Sequence, residues 1–240
     1  MLARSKAEVD LCQLEIEQQG HTAVRLRADV TDYEQVHAAV ERFKVHFGDY
    51  PHVLICAAGV LGPIGPFAES NPKHWDDVVR TNLLGVMHCC RAVLPHMVFR
   101  RSGKIIVLTG GGATPARPNF AIYGATKTGL VRFVESLAEE LADSNVQING
   151  LSPGGTYTHM TDQVLSAGER AGWREIEQAK AVRVTGGMSP EKQMELAAFL
   201  ASEQSNHISG RLINVEDDWK KLRDRNAGPE LYRLRRVQKA

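Results

Sequence analysis

The stretch KIIVLTGGGATPARPNFAIYGATKTGLVRFVESLAEEL, residues Lys104–Leu141, decides how the rest of the chain is read. It opens on a continuous apolar run, crosses a glycine-rich loop and enters a helix near Tyr123. A short unbroken apolar run fits a strand covered on both faces. Tyr123 and Lys127 stand four apart, so on a helix they share one face. A phenol and an ammonium then point together over the end of a buried strand, which is an arrangement of chemistry more than of packing.

Around this stretch the chain has 240 residues, 43% hydrophobic and 24% charged. That is the composition and length of a globular domain with one sizeable core. The formal net charge is +1, so no overall field favours nucleic acid or a membrane surface. No apolar run approaches the roughly 18 residues of a membrane helix. The first residues, MLARSKAEVD, lack the apolar centre of a signal peptide. Cys12, Cys56, Cys89 and Cys90 lack zinc-ligand or C-x-x-C spacing and read as reduced thiols of a cytoplasmic protein.

From the N-terminus, residues 5–19 read as a helix stopped by Gly20, and 22–28 alternates like a strand. Thr31-Asp-Tyr-Glu34 has the form of a capping box. The helix behind it runs to about Phe47 with either Val36, Val40 and Phe43 or Ala39 and Val40 inward, and Gly48 ends it. Val53–Ala57 is a second continuous apolar run, again expected to be covered on both faces. Asn71-Pro72 supplies an N-cap and an N1 proline to a helix carrying Trp75, Val78, Val79, Leu83 and Val86, whose pattern Pro95 interrupts.

Beyond the opening stretch, Val146–Leu151 reads as a strand. Residues 161–187 are polar and glycine-punctuated with helical patches, which fits either a lid or a plain surface excursion. Ser189-Pro190-Glu191 opens another helix, and Leu212–Val215 is the last strand. The alternation predicts an α/β fold, a doubly wound and mainly parallel sheet with helices on both faces. One domain is expected over 1–219, followed by a basic, solvated tail over 220–240.

In open parallel sheets, ligands lie beyond the carboxyl ends of the strands. Four loops leave such ends with small or turn-forming residues: Asp29-Val30, Ala57-Ala58-Gly59, Thr109–Gly112 and Pro153-Gly154. Small residues let a flat ligand approach the backbone. Tyr123 adds the reactive group. A free phenol near pKa 10 is a poor acid–base catalyst at neutral pH, and an ammonium one turn away is expected to draw it down.

These motifs, in this order, resemble the short-chain dehydrogenase/reductase family, from the first residues to about Gly210. Asp29-Val30 corresponds to the adenine contact, and Ala57-Ala58-Gly59 to the N-N-A-G turn. Asn82 follows in TNLLGV, and Tyr123-Gly-Ala-Thr-Lys127 is Y-x-x-x-K. Asn149-Gly-Leu-Ser-Pro153-Gly154 with Thr158 corresponds to the N-x-x-x-P-G segment. The resemblance implies a Rossmann-like fold, NAD or NADP as cofactor, and hydride exchange with a small-molecule carbonyl or alcohol substrate. It implies Tyr123 as acid–base, with Lys127 lowering its pKa and binding the nicotinamide ribose. Asn82 would hold a helix kink and a relay water, and Pro153, Gly154 and Thr158 would border the nicotinamide and its phosphates. Helices 72–90 and 123–141 are those the family uses to form homodimers and homotetramers. Neither nucleic acid nor membrane is expected as a partner.

The sequence also departs from the family pattern. The family opens on a strand and a T-G-x-x-x-G-x-G turn; here Met1-Leu-Ala-Arg4-Ser5 resembles the end of the second strand. The expectation is a domain lacking the first strand, the glycine-rich turn and its phosphate-binding helix, with the 22–28 strand short of a neighbour and pairing edges exposed. Gly110 occupies the place of the family's catalytic serine, thirteen residues before Tyr123, and losing one such donor costs about 10²–10³ in rate. Thr109 faces the other way along the strand, while Thr114 lies in the loop. Cys56 and Ala57 replace two asparagines, and Arg211–Trp219 lacks the V-D-G-G close. Arg4 leans towards the 2′-phosphate of NADP; the substrate pocket belongs to the variable 159–187 segment. An alternative follows: a catalytically impaired family member that acts by binding or oligomerising.

Overall fold

The computed structural model describes residues 1–224, 228 and 230–235. Strands and helices alternate: β1 (Leu2–Ala3), α1 (Lys6–Gln18), β2 (Leu26–Arg27), α2 (Tyr33–Phe47) and β3 (Val53–Cys56). Then come α3 (Trp75–Val79), α4 (Gly85–Arg100), β4 (Gly103–Leu108), α5 (Ala121–Glu140) and β5 (Val146–Ser152). The chain continues through α6 (His159–Ala167), α7 (Trp173–Thr185), α8 (Pro190–Ala201) and β6 (Leu212–Asn214). Every strand pairing is parallel, which requires a crossover between neighbours and explains the intervening helices. The strands fall into two sheets, β1-β2 and β3-β4-β5-β6.

β4 and β5 form the centre, and their apolar runs are covered as expected: Ile105, Ile106, Val107 and Ile148 are each at most 1% exposed. Lys104 breaks the pattern on β4, as Gln147 and Asn149 do on β5. Lys104 is buried on β4, donates from Nζ to Ser205 Oγ at 3.0 Å, and is pushed down to about 8 by its burial.

Five local expectations need correction. The cap of α2 is Asp32, whose carboxylate accepts from Gln35 N–H at 3.1 Å, not a Thr31/Glu34 box. The 22–28 strand shrinks to Leu26–Arg27, because β1, its one partner among the described residues, is itself two residues long. α4 runs straight through Pro95 to Arg100, since α4 packs against α2, β3 and β4 and tertiary contact outweighs one lost helical bond. The tail is not solvated over its described part: Leu222 is buried, Leu231 and Tyr232 pack against β6's core, and Leu212 N–H bonds Tyr232's carbonyl. Finally, β3 is not covered on both faces; Val53 is 38% and Ile55 51% exposed. Among the described residues, the edge of β3 away from β4 has no partner strand.

Candidate active site

The carboxyl end of β4 is where the expected residues meet. α3 passes into a π-turn over Arg80–Leu84 before α4 begins, and such turns re-aim side chains. Asn82 sits in that turn, fully buried. Its Oδ1 accepts from Val60 N–H at 2.8 Å, and its Nδ2 donates to Val60's carbonyl at 2.9 Å and to the Thr126 hydroxyl at 3.2 Å. Thr126 in turn donates to Tyr123's carbonyl at 2.7 Å. One side chain therefore ties the loop after β3 to the first turn of α5.

α5 delivers Tyr123 and Lys127 one turn apart, and both are buried. Lys127 Nζ donates to Leu108's carbonyl, the last residue of β4, at 3.1 Å. Gly59's bare α-carbon faces the same group: a β-carbon there would lie 3.4 Å from Asn82 Oδ1, 3.6 Å from Lys127 Nζ and 3.8 Å from Met160. Gly59, Asn82, Lys127 and Met160 of α6 thus meet at one point, and the Tyr123 ring lies 5.6 Å from Lys127 Nζ.

The charge balance differs from expectation. Burial pushes the Tyr123 phenol up, and the Arg117 guanidinium is the cation that draws it back. Lys127 lies 5.6 Å from the Tyr123 ring centre, over its face, with one of its N–H groups on Leu108. Burial pushes Lys127 itself down to about 8. Arg117 lies equally 5.6 Å from that ring, and a bidentate pair with Glu175 of α7, at 2.6 and 3.0 Å, holds it there. Sequence reasoning overlooked Arg117 and Thr126. Thr126, three after Tyr123 on the inner helix face, was open to discovery by spacing; Arg117 was not, because its position depends on Glu175, 58 residues away.

Gly110 leaves the expected gap in chemistry. A β-carbon at 110 would stand 2.8 Å from Tyr123 Oη, so the phenol fills the space a serine would enter. Neither nearby threonine replaces it: Thr109 is buried and donates to Leu151's carbonyl at 3.2 Å, and Thr114 is exposed.

The remaining predicted residues stand apart from this centre. Asp29 accepts from Thr31 N–H at 2.9 Å and faces Arg4 at 3.6 Å. Burial pushes its carboxyl up, but the Thr31 and Arg4 contacts outweigh that and hold it below the usual range. Val30 packs over Gly85 at the start of α4, and its carbonyl lies 2.8 Å from His88 Nδ1. Ala58 lines an apolar slot with Val30. Pro153's carbonyl accepts from Gln193, Gly154 adopts φ +73° against Val215 and Met188, and Thr158 caps α6 through a reciprocal pair with Thr161. Residues 161–187 prove largely helical, and Val164 of α6, Ala171 of the turn behind it and Ala179 of α7 pack in one cluster with Tyr123.

The known proteins that this chain matches agree on a lineage. The profile of the short chain dehydrogenase family matches residues 1–168. The chain is 32% identical over 206 residues to oxidoreductase UcpA of Salmonella typhimurium, covering 85% of this chain and 78% of that one. It is 30% identical over 213 residues to 3-oxoacyl-(acyl-carrier-protein) reductase FabG of Staphylococcus aureus, covering 89% and 83%. Its fold superposes on a variant of actinorhodin polyketide ketoreductase, solved with NADPH, with TM-score 0.80 at 27% identity, over 89% of this chain and 84% of that one. The chain belongs to the short-chain dehydrogenase family of oxidoreductases, and its fold is the Rossmann-like parallel α/β fold of that family.

Proposed function

We propose that this protein exchanges hydride between NAD or NADP and the carbonyl or alcohol carbon of a small molecule, with Tyr123 as the acid–base. The observation that carries the reading is the convergence of Lys127 and Asn82 on Gly59 beside the Tyr123 hydroxyl over Gly110, at the carboxyl end of β4. Family membership supports the reaction class, and the NADPH bound by the related ketoreductase supports the cofactor class.

The residues fit the nicotinamide–ribose end of such a cofactor. A charged lysine has three N–H donors; among the described residues Lys127 gives one to Leu108, leaving two for ribose hydroxyls. Pro153, Gly154 and Thr158 border that end, and Asp29 with Val30 takes the adenine. Between these two ends lies the apolar slot lined by Val30, Ala57 and Ala58, whose side chains give a pyrophosphate no donor. When bound, the nicotinamide ring supplies or accepts the hydride. Tyr123 Oη gives a proton to the substrate oxygen in reduction and takes one in oxidation. Asn82 holds Val60 and Thr126 in register, and the cover by α6 and α7 keeps water from the phenol.

No described helix is long and apolar enough to cross a membrane. A cytoplasmic location, a single domain over 1–219 with a tail over 220–240, and assembly as a homodimer or homotetramer through helices 72–90 and 123–141 complete the proposal. Exposed Leu84 on the first of these helices supports the assembly surface.

A second reading, binding without turnover, draws on Gly110, which gives the substrate oxygen no hydroxyl. The two separate in one experiment. With a panel of small ketones and aldehydes and either reduced cofactor, Tyr123→Phe is expected to lower the reduction rate at least about 10²-fold. An unchanged rate removes Tyr123 from the chemistry, and no rate in the wild type favours the second reading.

A further inference from the structure

The loop before α5 and the first turn of α7 are clamped together beside Tyr123. Asn119 accepts from Gly65 N–H at 2.9 Å, and its Nδ2 presses on Gly172, the N-cap of α7, where a β-carbon would stand only 3.0 Å away. Arg117 lays its guanidinium 4.0 Å from the Phe120 ring centre and 5.6 Å from that of Tyr123. Its fork then closes on Glu175 in the bidentate pair. Glu175 stands in the first turn of α7, where the helix dipole favours a carboxylate. The two side chains are only 18% and 20% exposed, so salt screens the pair little. The turn ahead of α7 is pinned as well, with Arg170 donating to Glu69 at 2.9 Å.

We propose that Arg117 is a positioning residue for the acid–base Tyr123, and that Glu175 makes its action depend on α7. With the first turn of α7 seated on the loop, the guanidinium is fixed over the phenol ring; with that turn displaced, it swings to water and the phenol loses a standing cation. The acid–base is thereby coupled to the helical cover beside it. This inference rests on the reading of Tyr123 as the acid–base. Among the described residues, the charged groups facing the phenol are Lys127 of α5, Arg117 of the loop before it and, through Arg117, Glu175 of α7. α6 and the loop after β3 contribute Val164, Met160 and Leu61 to its cluster. The two cations differ in kind. Burial brings Lys127 down to about 8, whereas a guanidinium keeps its proton throughout. When Oη gives up its proton, negative charge spreads into the ring that Arg117 overlies, and a cation that cannot itself deprotonate stabilises it.

The test needs neither substrate nor cofactor. Tyrosine labelled with carbon-13 at Cζ gives each of the chain's five phenols its own magnetic-resonance signal, and Tyr123→Phe assigns the one that matters. Near pH 10, where Lys127 has largely lost its proton, Arg117→Met is expected to lower the phenolate share of Tyr123 at least about threefold. Glu175→Ala is expected to lower it too. That sign discriminates, because deleting an anion by charge alone would raise the share. Arg117→Lys, which keeps a charge without the fork, is expected to fall between wild type and Arg117→Met. A signal unmoved in Arg117→Met overturns the inference, and so does a rise or no change in Glu175→Ala. Circular dichroism checks each fold; if Arg117→Met fails to fold, Glu175→Ala decides. Reduction of the ketone and aldehyde panel separates this inference from the reading beneath it. Tyr123→Phe at the wild-type rate strikes the acid–base reading itself. Loss of rate there, with Arg117→Met at the wild-type rate at every pH, strikes this inference alone.

Discussion

Ile55 on β3 and Ile106 on β4 are partners on one rung of the same parallel ladder, yet Ile106 is 1% exposed and Ile55 51%. Two rungs earlier the contrast is sharper in kind: Val53 is 38% exposed while Lys104 beside it is 8% exposed. The two strands read alike in sequence, as short apolar runs. They differ in what lies across them, because β4 has a strand on either side and β3 has one neighbour and a slot. Burial here follows position in the sheet, and β3's side chains are apolar for a cover that the two described sheets do not supply.

The largest effect that would break this contrast is the cost of truncating the two isoleucines. Ile106→Ala removes atoms from a fully packed core and is expected to cost about 2–5 kcal/mol. Ile55→Ala, with half its surface already in water, is expected to cost less than about 1 kcal/mol. Urea unfolding of both variants checks this; equal costs would mean that the slot is closed in solution.

Next in size is the buried ammonium at the end of β4. Lys127 is lowered from its ordinary 10.5 to about 8 by burial, so the unfolded chain holds that proton more firmly between those values. Stability is then expected to rise with pH from about 8 to 10.5 and to be flat in this respect on either side, by an amount of about 3 kcal/mol for this lysine. Lys127→Met should abolish that part of the rise and be the more stable protein at pH 7. Lys104 titrates in the same window, so the difference between wild type and variant is the quantity to read. Smallest is Val53→Lys, expected to stay within about 0.5 kcal/mol, because it places charge on a strand edge already facing water.

Much of this was legible in the sequence. The inward face of α2, the buried run of β4 and the shared face of Tyr123 and Lys127 follow from periodicity and from loops at strand ends, while Asn82 was reached only through the family resemblance. What escaped depended on partners distant in sequence. The Val53–Cys56 run carries no sign of its missing cover, and its exposure is set by β1 standing across a slot. Pro95 reads as a helix breaker, but packing of α4 on α2 and β3 overrides it. The Tyr123 phenol was expected to answer to Lys127 by spacing alone; the cation that opposes its burial is Arg117, fixed by Glu175. Asp32 in place of Thr31 as the α2 cap is a one-residue slip of a correct signal.

The central claim is that the carboxyl end of β4 holds the nicotinamide end of a dinucleotide. Titration of the chain with NADH and NADPH, followed by cofactor fluorescence, tests it most directly. The account predicts saturable binding within about 1 mM, worth about 4 kcal/mol, which Lys127→Met abolishes. A signal that stays linear through that range for both cofactors would contradict it.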